Sequence, residues 1–222
     1  MSKYPYKINS QWALVLIVTT LLATSTGFGQ EPYPDTIVDL KALYAGEINA
    51  LHSYSAYAEK ARSEGLPEIA ALFDALSKSE SIHARNFRML LEKMGESPLD
   101  ARPTLNVHST RENLQYAAEV ELAEIDKIYP AAIERMQAEK HADAMAYTSY
   151  AWKSEKQHRE LIKEIRSGTG LFFSLLKKEF EENPNNYFIC QRCGSTLTEM
   201  PETTCPVCGS PASSYEQLPK KK

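Results

Sequence analysis

Four segments of the chain carry apolar residues at steps of three and four, and acidic or histidine residues interrupt each of these stripes. Such steps place the interrupting residues on the buried face of a helix. Two of the segments contain Glu-x-x-His, at Glu80 and His83 and again at Glu155 and His158. Burying an unpaired carboxylate costs on the order of several kcal/mol. These helices therefore need a partner that offsets the buried charge.

The four stripes are regularly spaced along the chain. Glu47 precedes Glu80 by 33 residues, and Glu121 precedes Glu155 by 34. This spacing indicates one helix hairpin used twice, and we predict an all-α, ferritin-like four-helix bundle over residues 35–167. The stripes are Leu40, Leu43, Glu47, Ala50, Tyr54; Phe73, Leu76, Glu80, His83, Phe87, Leu90; Leu114, Ala117, Glu121, Glu124, Ile128, Ala131; and Tyr147, Ala151, Glu155, His158, Ile162, Ile165.

Five inward glutamates and two inward histidines predict a metal site. Two divalent cations would offset most of the carboxylate charge, and these oxygen and nitrogen donors suit iron or manganese. A single Glu-x-x-His is more often a solvated pair on a helix surface. Two copies on apolar stripes, each with a partner glutamate, favour the metal.

The helix boundaries follow from caps and breakers. We expect Asp35 and Thr36, or Asp39, to cap the first helix, and Pro130 to bend the third. We predict that the first helix ends at 64–65 and that the second spans 66–95. A crossover should follow over 96–109. The third helix should then start near 110, and the fourth should run from about 142 to 167–168.

A separate module is predicted at residues 187–218, after a linker over 168–186. It holds Cys190-x-x-Cys193 and Cys205-x-x-Cys208, each followed by a glycine. Such paired knuckles place four thiolates around one iron or zinc. Disulfides, with three pairings open to four cysteines, are the alternative in an exported protein. The fold class is thus a bundle with a small rubredoxin-like or zinc-ribbon-like C-terminal module.

The first 29 residues have the layout of a secretory signal peptide. Lys3 and Lys7 precede an apolar run, and small residues at Gly27 and Gly29 fit cleavage before Gln30, with a cut after Ser25 as the alternative. We expect a protein exported to the periplasm with no membrane span after cleavage; the alternative is an uncleaved anchor that leaves the protein facing the periplasm. The net charge of −4 argues against nucleic acid as a partner.

From residue 36 to 218 the chain resembles the rubrerythrin family. In the first half of the bundle, Glu47 is followed by Glu80-x-x-His83, and in the second half Glu121-x-x-Glu124 is followed by Glu155-x-x-His158. Together with the two cysteine knuckles, these motifs carry the resemblance. It implies a di-iron site that reduces hydrogen peroxide, an electron relay through a four-cysteine iron, an external donor (a reductase or a small redox protein), and a head-to-tail homodimer.

The resemblance also implies individual roles. Glu47, with Glu124 or His83, would hold one iron, Glu121 and His158 would hold the other, and Glu80 and Glu155 would bridge them. Glu124 would exchange with His83 as the redox state changes. Tyr54 and Tyr129 resemble family tyrosines that hydrogen-bond the carboxylates, although core packing is the alternative for both.

Two other functions are compatible with the same motifs. The bundle alone would serve a ferroxidase or iron-binding protein, and the module would then be a structural zinc ribbon that recruits a partner. The eleven residues between Cys193 and Cys205 include no aromatic. This departs from rubredoxin-type modules, so we expect loose packing or zinc there, with only Tyr187, Phe188 and Tyr215 near the metal.

Overall fold

The computed structural model describes residues 33–98, 102–168 and 186–219. The N-terminal half of the bundle is a helix hairpin. Helix α1 spans Pro34–Ser63 and α2 spans Pro67–Lys93. After the crossover, α3 spans Thr110–Ala123, a π-helix covers Glu124–Ile128, α4 spans Tyr129–Ala138 and α5 spans Ala142–Gly168. Since α3, the π-helix and α4 are continuous, they form the third rod of a four-helix bundle, and the predicted fold class is confirmed.

The helix ends obey local rules, with one correction. Ser109 begins α3 in a capping box with Glu112. Gly65, at φ 72°, ends α1 in a Schellman motif, where the amide of Leu66 bonds the Ala61 carbonyl. The expected caps of α1 are wrong, because its N-cap is Tyr33, which makes no side-chain cap. Instead, the Glu139 carboxylate accepts hydrogen bonds from the backbone amides of Asp35 and Thr36 in the first turn of α1.

The π-helix corrects the predicted stripe of the third rod. The π-helix has one extra residue in its turn, so each buried position after it moves by one residue toward the C-terminus. The inward residues are therefore Ile125, Tyr129 and Ala132. The predicted Ile128 is 48% exposed and Ala131 is only half-buried. Pro130 lies in the first turn of α4, so the irregularity near it is a register change in the helix.

Two apolar clusters fill the bundle and lie on opposite sides of the polar ligands. One cluster contains Phe73, Leu76, Leu114 and Ile162; the other contains Leu40, Phe87, Leu90, Tyr129 and Met136. Apolar walls of this kind keep water from the carboxylates between them and strengthen their electrostatic interactions.

The C-terminal module is a three-stranded antiparallel sheet in the order β2, β1, β3. Its strands are β1 at Phe188–Cys190, β2 at Thr196–Leu197 and β3 at Tyr215–Gln217. The module and the bundle belong to one compact unit. Tyr187 and Ile189 pack into a bundle cluster, and Tyr150 of α5 packs against the cysteine core. The expectation of loose packing is therefore wrong, because the bundle supplies the aromatic that the knuckle loop lacks.

The signal peptide over 1–29 and nearly all of the linker over 168–186 lie outside the described residues. Within the described ranges, no helix is long and apolar enough to cross a membrane.

Candidate metal centres

Six of the seven predicted bundle ligands meet in the middle of the bundle. Each rod contributes: Glu47 comes from α1, Glu121 from α3, and a Glu and a His one turn apart come from each of α2 and α5. All six side chains are buried. They form two groups whose ligand atoms lie within 4.8 Å of one another: Glu47, Glu80, His83, Glu155 and Glu80, Glu121, Glu155, His158.

Glu80 and Glu155 belong to both groups. They therefore have the position expected of carboxylates that bridge two metal sites. His83 Nδ1 lies 2.9 Å from Glu80 Oε2 and 3.0 Å from Glu155 Oε1. His158 Nδ1 lies 2.8 Å from Glu155 Oε2 and 3.2 Å from Glu80 Oε1. Adjacent ligands around a small divalent cation with bonds of about 2.1 Å lie about 3 Å apart in octahedral geometry. The two groups therefore have the spacing of two neighbouring coordination shells.

The hydrogen bonds of the cluster are incomplete without cations. Within the described part of the chain, five of its buried atoms have no hydrogen-bond partner, namely Glu80 Oε2, His83 Nδ1, Glu121 Oε2, Glu155 Oε1 and His158 Nε2. Buried polar atoms left unpaired are costly. The donor set, its sharing and its unpaired atoms all fit two metal ions.

The charges of the cluster shift one another strongly. Burial raises the pKa of Glu47 to about 8, although His83 opposes this. Burial and the nearby Glu155 raise the pKa of Glu121 as well. Burial alone would raise the pKa of Glu155, but His158 and His83 outweigh it and lower that pKa. A pair of divalent cations would favour the ionised form of every carboxylate here.

Two tyrosines fix the terminal carboxylates. Tyr54 Oη donates to Glu121 Oε1 at 2.7 Å, and Tyr129 Oη donates to Glu47 Oε1. Each hydroxyl orients a carboxylate oxygen and leaves the other for a metal. Burial raises the pKa of both phenols, with Glu121 adding to the effect on Tyr54 and Glu47 on Tyr129, so both stay protonated donors.

Glu124 lies beside the cluster and belongs to neither ligand group. It is half-buried and lines a cavity of about 110 Å³ between α1 and α3. Asn49, Ser53, Tyr57 and Tyr116 line the same cavity. In this structure His83 therefore occupies the ligand position next to Glu47, and Glu124 connects the cluster to the cavity.

The four cysteines converge in the module. All are free thiols whose sulfurs lie within 4.8 Å of one another. Cys193 Sγ and Cys205 Sγ are 3.6 Å apart, and Cys190 Sγ and Cys208 Sγ are 3.8 Å apart. Metal–sulfur bonds of about 2.3 Å give sulfur–sulfur edges of about 3.8 Å in a tetrahedron. Tyr215 Oη donates to Cys205 Sγ at 3.1 Å, so the sulfurs have the geometry of a four-thiolate metal site.

The first knuckle of the module docks directly on the dinuclear cluster. Four consecutive carbonyls, of residues 191–194, accept hydrogen bonds from bundle side chains. The bonds are Arg85 Nη2 to Gln191 at 2.6 Å, Asn86 Nδ2 to Arg192 at 2.8 Å, His83 Nε2 to Cys193 at 3.1 Å, Ser154 Oγ to Cys193 at 3.2 Å and Ser79 Oγ to Gly194 at 2.7 Å.

The bond from His83 decides the protonation of its imidazole. A carbonyl only accepts hydrogen bonds, so Nε2 must carry the proton and donate it to Cys193. In the neutral imidazole, Nδ1 then has its lone pair directed at the carboxylate cluster. His83 thus directs one ring nitrogen at the carboxylate cluster and the other at a cysteine residue.

Sequence reasoning missed the docking residues. Ser79 and Ser154 stand one residue before the two motif glutamates, and this repeated Ser-Glu pair is the signal that marks them. Gly194 directly follows the first knuckle. It has φ 81°, and a Cβ there would lie 2.4 Å from His83 Nε2, so docking itself requires glycine.

Fold and site together define a ferritin-like protein with a dinuclear carboxylate site and a rubredoxin-like module. The rubrerythrin family model matches residues 40–166. Rubrerythrin-2 of Clostridium acetobutylicum is 31% identical, over 77% of this chain and 89% of its own. Nigerythrin of Nitratidesulfovibrio vulgaris is 28% identical, over 81% and 85%.

Solved structures of similar proteins have the same fold. A mixed-valent nigerythrin structure matches with a TM-score of 0.69 and 26% identity, covering 96% of this chain and all of that one. A bacterioferritin of Desulfovibrio desulfuricans shares the bundle fold, with a TM-score of 0.61 at 19% identity. The chain belongs to the rubrerythrin family. It is an oxidoreductase-type di-iron protein whose cofactors are two irons in the bundle and one iron at the four cysteines.

Proposed function

We propose that the protein is a non-haem di-iron peroxidase that reduces hydrogen peroxide to water. Each hydrogen peroxide takes up two electrons and two protons and yields two waters. The two ligand groups would hold a pair of ferrous ions, and those ions would supply the two electrons. The four cysteines would hold the iron through which electrons reach the bundle one at a time, and an external reductase or small redox protein would supply those electrons.

The observation that carries this proposal is the hydrogen bond from His83 to the Cys193 carbonyl. It joins a residue of the dinuclear ligand groups to a residue of the four-cysteine group through a single contact. A protein that only stores or oxidises iron has no need of a second metal centre at this position. The bond thus favours electron relay over a ferroxidase with a structural zinc module.

The remaining residues fit roles in the same reaction. The cavity has both polar and apolar walls, includes Asn49, Ser53 and Tyr116 in its lining, and is large enough for a molecule of the size of hydrogen peroxide. Glu124 lies at its inner side and can carry a proton between the cavity and the reacting oxygens. Tyr54 and Tyr129 keep Glu121 and Glu47 oriented while the charge at the site changes.

Alanine variants of the bridging and terminal ligands test the assignment. Glu155→Ala or His158→Ala should abolish hydrogen peroxide turnover by the iron-loaded, reduced protein, because each removes a donor from the dinuclear group. Glu119→Ala is the matched control, since Glu119 is exposed on the same rod as Glu121 and accepts a hydrogen bond from its helix neighbour Gln115. Full activity in Glu155→Ala would reject the mechanism.

The head-to-tail homodimer stays a prediction. The structure docks the module on the bundle of its own chain. Two chains that exchanged modules would keep every one of these docking bonds. Sedimentation velocity of the iron-loaded protein distinguishes the dimer from the monomer.

We also propose export to the periplasm, supported by the basic and then apolar pattern of residues 1–29. An uncleaved N-terminal anchor that faces the periplasm is the alternative. Hydrogen peroxide removal outside the cytoplasm would then be a defence against oxidative stress.

A further inference from the structure

The π-helix in the third rod leaves one carbonyl without a main-chain donor. Within it, the amide of Tyr129 bonds the carbonyl of Glu124, five residues back. The next bond of this pattern would join residue 130 to the carbonyl of Ile125. Residue 130 is proline, which has no amide hydrogen. The Ile125 carbonyl therefore depends on a side chain.

Trp152 supplies that donor from the neighbouring helix. Its indole Nε1 donates to the Ile125 carbonyl at 2.9 Å. Its ring packs against the apolar cluster of Leu40, Phe87 and Tyr129, and Lys156 Nζ lies 3.3 Å from the ring centroid. The indole is thus held on both sides, and its only hydrogen-bond donor points at the orphaned carbonyl.

The same bond decides between two helical registers. In an α-helix, the Tyr129 amide would bond the carbonyl of Ile125 instead of that of Glu124. Trp152 satisfies the Ile125 carbonyl in the π register, so no carbonyl is left unpaired there when the Tyr129 amide bonds Glu124. Moving the register by one residue would rotate Tyr129 by about 100° around the helix axis and carry its hydroxyl away from Glu47.

We infer that Trp152 is a positioning residue that locks the π register and so holds Tyr129 on the metal-binding Glu47. The inference rests on the di-iron assignment and is independent of the oxidant. Because Trp152 lies three residues before Glu155 on α5, one helix carries both a bridging carboxylate and this lock.

The test uses the full-length, iron-loaded protein and the variants Trp152→Phe, Trp152→Phe/Pro130→Ala and Lys156→Ala. Trp152→Phe keeps an aromatic ring at this position and removes the Nε1 donor. We expect hydrogen exchange at the Tyr129 amide to rise at least tenfold and the Mössbauer spectrum to show an altered environment at one iron, while exchange in α2 is unchanged. Lys156→Ala should alter neither readout, because the indole donor remains.

The second variant provides the rescue. Pro130→Ala restores an amide that can donate to the Ile125 carbonyl within the π pattern, so the double variant should recover slow exchange and the parental iron spectrum. Unchanged exchange and an unchanged spectrum in Trp152→Phe would overturn the inference. A defect that Pro130→Ala fails to rescue would also overturn it, since the ring and not its hydrogen bond would then be responsible. Because neither readout measures peroxide turnover, a failed peroxidase assay leaves this test intact.

Discussion

Replacing Gly194 with alanine should uncouple the two metal centres without unfolding either of them. Gly194 has φ 81°, and an added Cβ would lie 2.4 Å from His83 Nε2 and 2.7 Å from Ser79 Oγ. Non-bonded contacts of carbon become favourable only at about 3.5 Å, so the knuckle must move away from the bundle by about 1 Å. The hydrogen bonds from His83, Ser154 and Ser79 to this knuckle would then be stretched or broken.

The size of the effect follows from those bonds. Three hydrogen bonds at about 0.5–1.5 kcal/mol each amount to about 1.5–4.5 kcal/mol of docking free energy. This corresponds to at least about a tenfold loss in the docking equilibrium. We therefore expect the first reduction of hydrogen peroxide by the prereduced protein to be kept, while sustained turnover with an electron donor falls at least tenfold.

Gly209→Ala is the matched control. Gly209 follows the second knuckle and has φ 71°. A Cβ added there would meet no neighbouring atom of the described residues within 4 Å. Both variants carry the same left-handed backbone cost of about 1–2 kcal/mol in the module, but only Gly194→Ala meets the bundle. Stopped-flow spectroscopy of the thiolate-bound iron follows reoxidation in each. Equal sustained turnover in the two variants would refute the role of the docking contact.

Three further outcomes are expected. Tyr54→Phe should weaken iron binding at the dinuclear site about 10–100-fold in a titration, with exposed Tyr116→Phe unchanged, because only Tyr54 orients Glu121. In the metal-free protein the pKa of Glu47 is about 8 and that of His158 about 9, both above the ordinary values of these groups. Folding therefore binds protons, and the melting temperature of the metal-free protein should fall between pH 5 and 9. Glu155, whose pKa is lowered, loses its contribution only below pH 5, and a melting temperature that rises across the window would contradict this account. Mass spectrometry of the exported protein should find Gln30 at the N-terminus, whereas an intact terminus in the membrane fraction would favour the anchor.

The bundle and its ligands were predictable because their signal is local. Inward residues at helical spacing, such as Glu80 and His83, follow from periodicity alone, and the 33- and 34-residue intervals give the hairpins. The same reasoning failed in the third rod, where it placed Ile128 inward. Periodicity assumes one constant helical repeat, and the extra residue of the π-helix breaks that assumption.

The repeated Ser-Glu pair marks two donors of the contact between module and bundle, but the acceptors of that contact were beyond sequence reasoning for a different reason. The contact depends on side chains from α2 and α5 that meet the carbonyls of a loop more than a hundred residues away from α2. Carbonyl acceptors carry no residue identity, so no motif records them. The aromatic missing from the knuckle loop is likewise supplied from α5, by Tyr150.

The most direct test of the central claim is an anaerobic titration of the fully reduced, iron-loaded protein with hydrogen peroxide. Visible absorption reports the thiolate-bound iron, and Mössbauer spectroscopy reports the pair in the bundle. The account predicts that both centres become ferric and that each hydrogen peroxide removes two electrons. A four-cysteine iron that stays ferrous while the bundle irons are oxidised would contradict it.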